Sequence, residues 1–221
     1  GGWNLDQVRV FMGVTFIVDY FFMLFVYEGI DYLNQSIANG EIDLLLTKPI
    51  ESQFILAFRK MGLSFMGSGA VAISYFFWAY IQWLKSAHGA DSIYMVISYL
   101  PLLWMFLLIP SALITIYVFR FLIASSAVFF TKAENLQFLW VQVYRLGLRP
   151  DSIFPNTVRW IFLTILPISL SANIPTQVIL NKYPEYTLLL AFWAIIWSLG
   201  LLKISNVYWK FCMKKYSSSS S

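Results

Sequence analysis

Charge is scarce in this chain. Only 12% of its 221 residues are Asp, Glu, Lys or Arg, where soluble domains carry about 25%. It has one cysteine, Cys212, and one histidine, His88. A lone thiol permits no intrachain disulfide, and a lone imidazole gives neither a His-based metal set nor a His-activated nucleophile much to work with. The sequence also lacks any G-x-x-x-x-G-K-(S/T) phosphate loop: Gly62, Gly67 and Gly69 fall inside an apolar run. No cofactor site, and no ATP site, is therefore expected in the chain itself. The start, Gly1-Gly2-Trp3, has neither Met nor a basic-then-apolar leader.

Apolar residues fill the space that charge leaves. They make up 59% of the chain, aromatics alone 19%, and the mean hydropathy is +0.69. A soluble fold of this size cannot hide so much apolar surface, so the solvent is lipid. The fold class that follows is an all-α, polytopic helical membrane protein, one transmembrane domain over residues 1–221, with membrane lipids as its surroundings. The net charge of +4 then calls for no nucleic acid, because basic residues gather at membrane ends.

A span needs about 20 apolar residues. The candidates are Val8 to Glu28, Gly62 to Leu84, Ile97 to Phe130 and Thr187 to Trp209. The third is long enough for a tilted helix or a tight hairpin, with Pro101 and Pro110 as kinks. Trp160 to Leu180 is apolar but broken by Pro167 and Pro175, which reads as a re-entrant segment. Ser64, Ser68 and Ala72 offer a small-residue face for close helix packing. Thr131 to Arg159 allows two routes: a cytoplasmic loop, or a short buried helix (Leu136 to Leu146) that carries the chain outward.

Lys203, Lys210, Lys214 and Lys215 gather at the C-terminal end, and Lys48, Arg59 and Lys60 lie between the first two spans. This asymmetry places the segment 29–61 and the tail 210–221 in the cytoplasm. Between two lipid-adapted runs stands Gly40-Glu41-Ile42-Asp43-Leu44-Leu45-Leu46-Thr47-Lys48-Pro49-Ile50. Gly29 to Ala38 can extend the first helix, and Gly40 can stop it. Asp43 can cap a turn carrying the leucines. Lys48, preceding a proline, is biased towards extended backbone, and Pro49 suits the first turn of the next helix. On that helix Ile50, Phe54, Phe58 and Met61 share a face, with Glu51, Arg59 and Lys60 away from it. A short rigid helix between two breakers suits a part that transmits force.

The pattern G-x-(aliphatic)-D-x-x-L-x-(K/R)-P-(aliphatic) at Gly40 to Ile50 resembles the cytoplasmic coupling loop of type-2 ABC (ATP-binding cassette) permeases, in their bacterial uncharacterised and drug-export branch. Further matches follow in order: Gly1-Gly2-Trp3 with the stretch after the family's first span, Phe154-Pro155, Val158-Arg159, Leu166-Pro167 and Pro175 with its proline-rich outer segment, and Trp209-Lys210 and Lys215-Tyr216-Ser217 with its basic end. The resemblance implies about five visible membrane segments of a six-helix permease domain, the family's first span lying ahead of Gly1. It further implies an exporter in the bacterial plasma membrane that works by alternating access. Separate ABC ATPase subunits that hold the ATP, and a second permease chain in a homo- or heterodimer, are its implied partners. Gly40, Ile42, Asp43, Leu44, Leu45, Leu46, Lys48, Pro49 and Ile50 would form the coupling element.

Ionisable residues at depth are the remaining candidates. Asp19 falls near the middle of the first span, where a charge is costly enough to suggest function. Its alternative reading is a neutral or hydrogen-bonded aspartate at a helix contact. Arg120 is expected to lie too near the cytoplasmic end of its run to pair with Asp19 if that run is one helix, and Glu28 is at a better-matched depth. A membrane-embedded lipid-modifying enzyme using Asp19 or Glu28, or a non-transporting scaffold, are the rival functions. The enzyme would need clustered acids, histidines or a metal set that the sequence does not offer.

Overall fold

The computed structural model describes residues 2–39, 53, 60–88, 100–129 and 133–215. Every regular element among them is helical: α1 (Leu5–Phe22), α2 (Glu28–Ala38), α3 (Met66–His88), α4 (Met105–Ser125), α5 (Ala133–Gly147), α6 (Asn156–Thr164), α7 (Asn173–Ile179) and α8 (Thr187–Lys215), with short 3-10 turns between several of them. Four stretches among the described residues are long and apolar enough to cross a membrane: Leu5–Ile37, Leu63–Ala87, Pro101–Val128 and Pro184–Lys215.

The first of these begins at a capping box. Asn4 Oδ1 accepts from the Gln7 amide at 2.8 Å, and Gln7 Oε1 accepts from the Asn4 amide at 3.2 Å. Such reciprocal bonds satisfy two amide donors that the helix leaves free. α1 and α2 are continuous, joined by one π-helical turn, Met23–Tyr27. The first helix thus runs well past Glu28, as the extension through Gly29 to Ala38 anticipates. Pro101–Val128 is likewise helical along its described length, with Pro110 inside α4. The hairpin alternative is not adopted.

α1 packs most extensively on α3, and α4 on α8. Gly13 permits the first contact, since a Cβ there would stand 2.9 Å from the Phe76 Cα, and Gly69 does the same beneath the Tyr20 ring. The buried face of α3 therefore runs through Gly69, Ala72, Phe76, Ala79, Tyr80 and Trp83. Ser64 and Ser68 are exposed, which corrects the expected small-residue face: only its Ala72 lies on the packed side. Ser68 instead returns its hydroxyl to the Phe65 carbonyl at 2.7 Å.

Within Thr131 to Arg159 the chain forms a helix, α5, but Phe138 and Leu139 on it are exposed, so it is not the buried helix expected there. It runs back along α4, with Gln137 Nε2 donating to the Arg120 carbonyl at 3.3 Å and Trp140 stacked on Phe119 at 4.7 Å. It ends where Asn173, only 1% exposed, gathers the turn beyond it. Asn173 Nδ2 donates to the carbonyls of Gly147 and Arg149, and its Oδ1 accepts from the Asp151 amide at 2.8 Å. α6, a 3-10 turn at Ile168–Leu170 and α7 make up the broken segment. α7 is buried along its whole length. Short, interrupted helices of this kind occur at membrane depth where protein surrounds them. Lys182 then reaches back to the start of α1, its ammonium 4.0 Å from the Trp3 ring centre. Burial pulls the amine below the usual lysine range, and the nearby Asp151 carboxylate opposes that shift.

Candidate functional site

Of the three polar residues expected within the membrane, Asp19 and Arg120 come near each other. Asp19 stands on α1 just ahead of the π-helical turn and is half-buried. Its Oδ1 accepts the Tyr144 hydroxyl at 2.8 Å. Arg120 on α4 lies over the rings of Phe22 and Tyr27, at 5.3 and 5.8 Å, and interacts electrostatically with Asp19, Tyr27 and Tyr144. As expected for Arg120, it does not pair with Asp19; the ion pair among the described residues is Arg9–Asp6. The two act on each other through space without forming an ion pair, because aromatic faces hold the guanidinium instead. Glu28, the better-matched residue by depth, makes no hydrogen bond or ion pair among the described residues. Tyr144 is the partner that sequence reading missed. An isolated Tyr in the amphipathic α5 looks like packing, and nothing local marks it as the donor to a residue on α1.

The cluster joins α1, α4 and α5 at the π-helical turn. π-turns inside α-helices are frequent at functional positions. Its chemistry is that of a hydrogen-bonded polar contact. Among the described residues no group of three or more His, Cys, Asp or Glu side chains is arranged to hold a metal.

A second constellation lies nearer the C-terminal half of the bundle. Gln53, 8% exposed, donates through Nε2 to the Tyr117 hydroxyl at 3.0 Å and to Ser205 Oγ at 2.8 Å. Tyr117 belongs to α4 and Ser205 to α8, so one amide from the segment between the first two spans bonds to both members of that packed helix pair. Ser205 in turn donates to the Leu202 carbonyl at 2.9 Å. The sequence does carry a signal here: the spacing of Ile50, Gln53 and Phe54 would put a polar side chain on an apolar helical stripe. Farther along, Lys60 caps the Tyr32 ring at 4.7 Å, and the Gly62 amide donates to the Leu24 carbonyl at 2.9 Å. The chain between the first two spans therefore rejoins α1 at the π-helical turn. Gly40, Ile42, Asp43, Leu44, Leu45, Leu46, Lys48, Pro49 and Ile50 lie outside the described residues.

Among the described residues, two of the grooves on the bundle stand out. One, of about 560 Å³, is almost wholly apolar and lies between α1, α3 and α4, with Phe21, Phe77 and Phe106 among its walls. The other, of about 440 Å³, is lined from α6, α7 and the approach to α8, and mixes Arg159, Asn156 and Gln177 with Leu163 and Ile174.

No curated protein and no solved structure matches this chain. The model of the ABC-2 family transporter protein matches it over residues 1–220. With four span-length apolar helices, a broken segment ahead of the last one and a match along virtually its whole length, the chain belongs to the ABC-2 transporter family.

Proposed function

We propose that this permease component is an exporter whose Gly40–Ile50 element receives the stroke of separate ABC ATPase subunits. Two permease chains form the pathway, and ATP binding favours one arrangement of their helices over the other. A ligand shifts such an equilibrium only through a difference in its affinity for the two states. The ATPases, closing on nucleotide, supply that difference at the coupling element. The element and the C-terminus face the cytoplasm of a bacterial cell, in keeping with the lysines at both places.

The observation that carries this reading is Gln53. It follows the coupling element directly, and its hydrogen bonds reach Tyr117 on α4 and Ser205 on α8. A displacement of the element would be passed to helices beyond the two it connects in sequence. Lys60 against Tyr32 and Gly62 against Leu24 offer a second line to α2 and the π-helical turn.

Asp43→Lys and Leu45→Asp test the proposal. Leu45→Asp puts a carboxylate into an apolar docking surface, where an unpaired buried charge costs about 3–5 kcal/mol. Asp43→Lys removes a helix cap worth about 1 kcal/mol and reverses a charge. Both variants should insert normally yet lose the co-purifying ATPase or its stimulated hydrolysis in reconstituted vesicles. Normal association together with normal stimulation in both would show that this element is not the coupling site.

A further inference from the structure

The groove bordered by α6, α7 and the approach to α8 contains a cation with little to do. Arg159 donates only weakly, to Asn156 Oδ1 at 3.5 Å, and no carboxylate pairs with it among the described residues, where the ion pair found is Arg9–Asp6. Asp151, the acid lining the same groove, is already engaged. Its Oδ2 accepts from Gln177 Nε2 at 3.0 Å, and the Lys182 charge acts on it. Asp151 and Arg159 are the charged residues lining the groove, and Asp151 is the one already engaged.

The walls supply what an ion alone would not use. Leu163, Ile174 and Leu190 form an apolar side, and Trp160, Tyr183 and Tyr186, all exposed, make an aromatic rim. The scaffold beneath is fixed: Asn173 pins the turn at Gly147 to Asp151, and Trp193 Nε1 donates to the Leu163 carbonyl at 3.4 Å. A guanidinium fork matches a two-oxygen anion, and its value rises where water is partly excluded.

We propose that this groove binds an amphipathic anion, with its oxyanion head on Arg159 and Asn156 and its alkyl chain along Leu163, Ile174 and Leu190. An anionic phospholipid of the surrounding leaflet and a cargo molecule are the two sources of such a head; an alkyl phosphate carries the chemistry they share. The site needs no ATPase and no coupling element, so it stands or falls apart from the transport reading.

The test uses the full chain in dodecyl maltoside, which supplies a neutral-headed competitor throughout, and radiolabelled dodecyl phosphate as probe. Wild type should bind it saturably, and inorganic phosphate at the same concentration should not displace it. Arg159→Gln should weaken binding about tenfold or more, the scale of one charge-assisted contact. Arg159→Lys, which keeps the charge but loses the fork, should bind more tightly than Arg159→Gln and less tightly than wild type, which separates a lost charge from a misfolded protein. Leu163→Gln should weaken binding several-fold with the arginine intact. Unsaturable uptake by wild type, equal affinity in Arg159→Gln, or no effect of Leu163→Gln would each overturn the proposal. The lipid that co-purifies identifies the source. An anionic phospholipid depleted in Arg159→Gln marks a resident lipid, and equal lipid content with lost dodecyl phosphate binding marks a cargo site.

Discussion

At the scale of single residues, the membrane sets how much each polar contact is worth. A buried hydrogen bond left half-made costs about 1–3 kcal/mol in a soluble protein, but side-chain bonds within membrane bundles average about 0.6 and reach about 1.7 kcal/mol. The lower range applies to Tyr144 and Asp19, which meet inside the helical bundle. Tyr144→Phe should therefore destabilise the fold by about 1 kcal/mol. Asp19→Asn, which keeps an acceptor, should cost less, and the double variant should show coupling, all read by detergent-titrated unfolding. Additive effects of the two changes would mean the bond contributes nothing. Gln53→Leu removes both bonds to Tyr117 and Ser205 and should destabilise by about 1–2 kcal/mol. The ATPase should remain bound to that variant while its stimulation falls. Stimulation at the wild-type level would remove Gln53 from the transmission path.

Among the elements, α1 and α3 show where close approach is required. A side chain at Gly13 must push against Phe76 backbone, whereas Gly67 has no neighbouring atom within 4 Å. Gly13→Ala should destabilise by about 1–3 kcal/mol through overpacking. Gly67→Ala should be neutral or mildly stabilising, because alanine favours a helix by up to about 1 kcal/mol over glycine. Thermal unfolding of the two variants side by side checks this, and equal effects would contradict the packing described. The long helices were legible because hydropathy over a span is a summed property, robust to single residues. The broken segment was legible too, since Pro167 and Pro175 interrupt it. What escaped was pairing between elements. Periodicity places Ser64, Ser68 and Ala72 on one stripe but does not say which stripe meets α1, and Gly69 against Tyr20 decided it. Tyr144 and Gln53 were invisible as site residues for the same reason: each acts on a partner far away in sequence.

Over the whole molecule, apolar side chains face outward on α3 and α8, with Val71 70% and Leu189 63% exposed, as befits a bundle solvated by lipid. Topology is then the property on which the transport reading rests. Cys212 is buried, so labelling can proceed against a quiet background. A cysteine at Ser86 should react with an impermeant thiol reagent added outside intact cells, and one at Ser52 should be shielded. Reversed labelling would detach the Gly40–Ile50 element from any cytoplasmic partner. The central claim, that this element touches the ATPase, is tested most directly by a photo-crosslinking side chain at position 45 in cells that also express the ATPase subunit. The account predicts a covalent adduct with the mass of the two proteins at position 45 and none with the same group at position 86. No adduct at 45, or an equal one at 86, would contradict it.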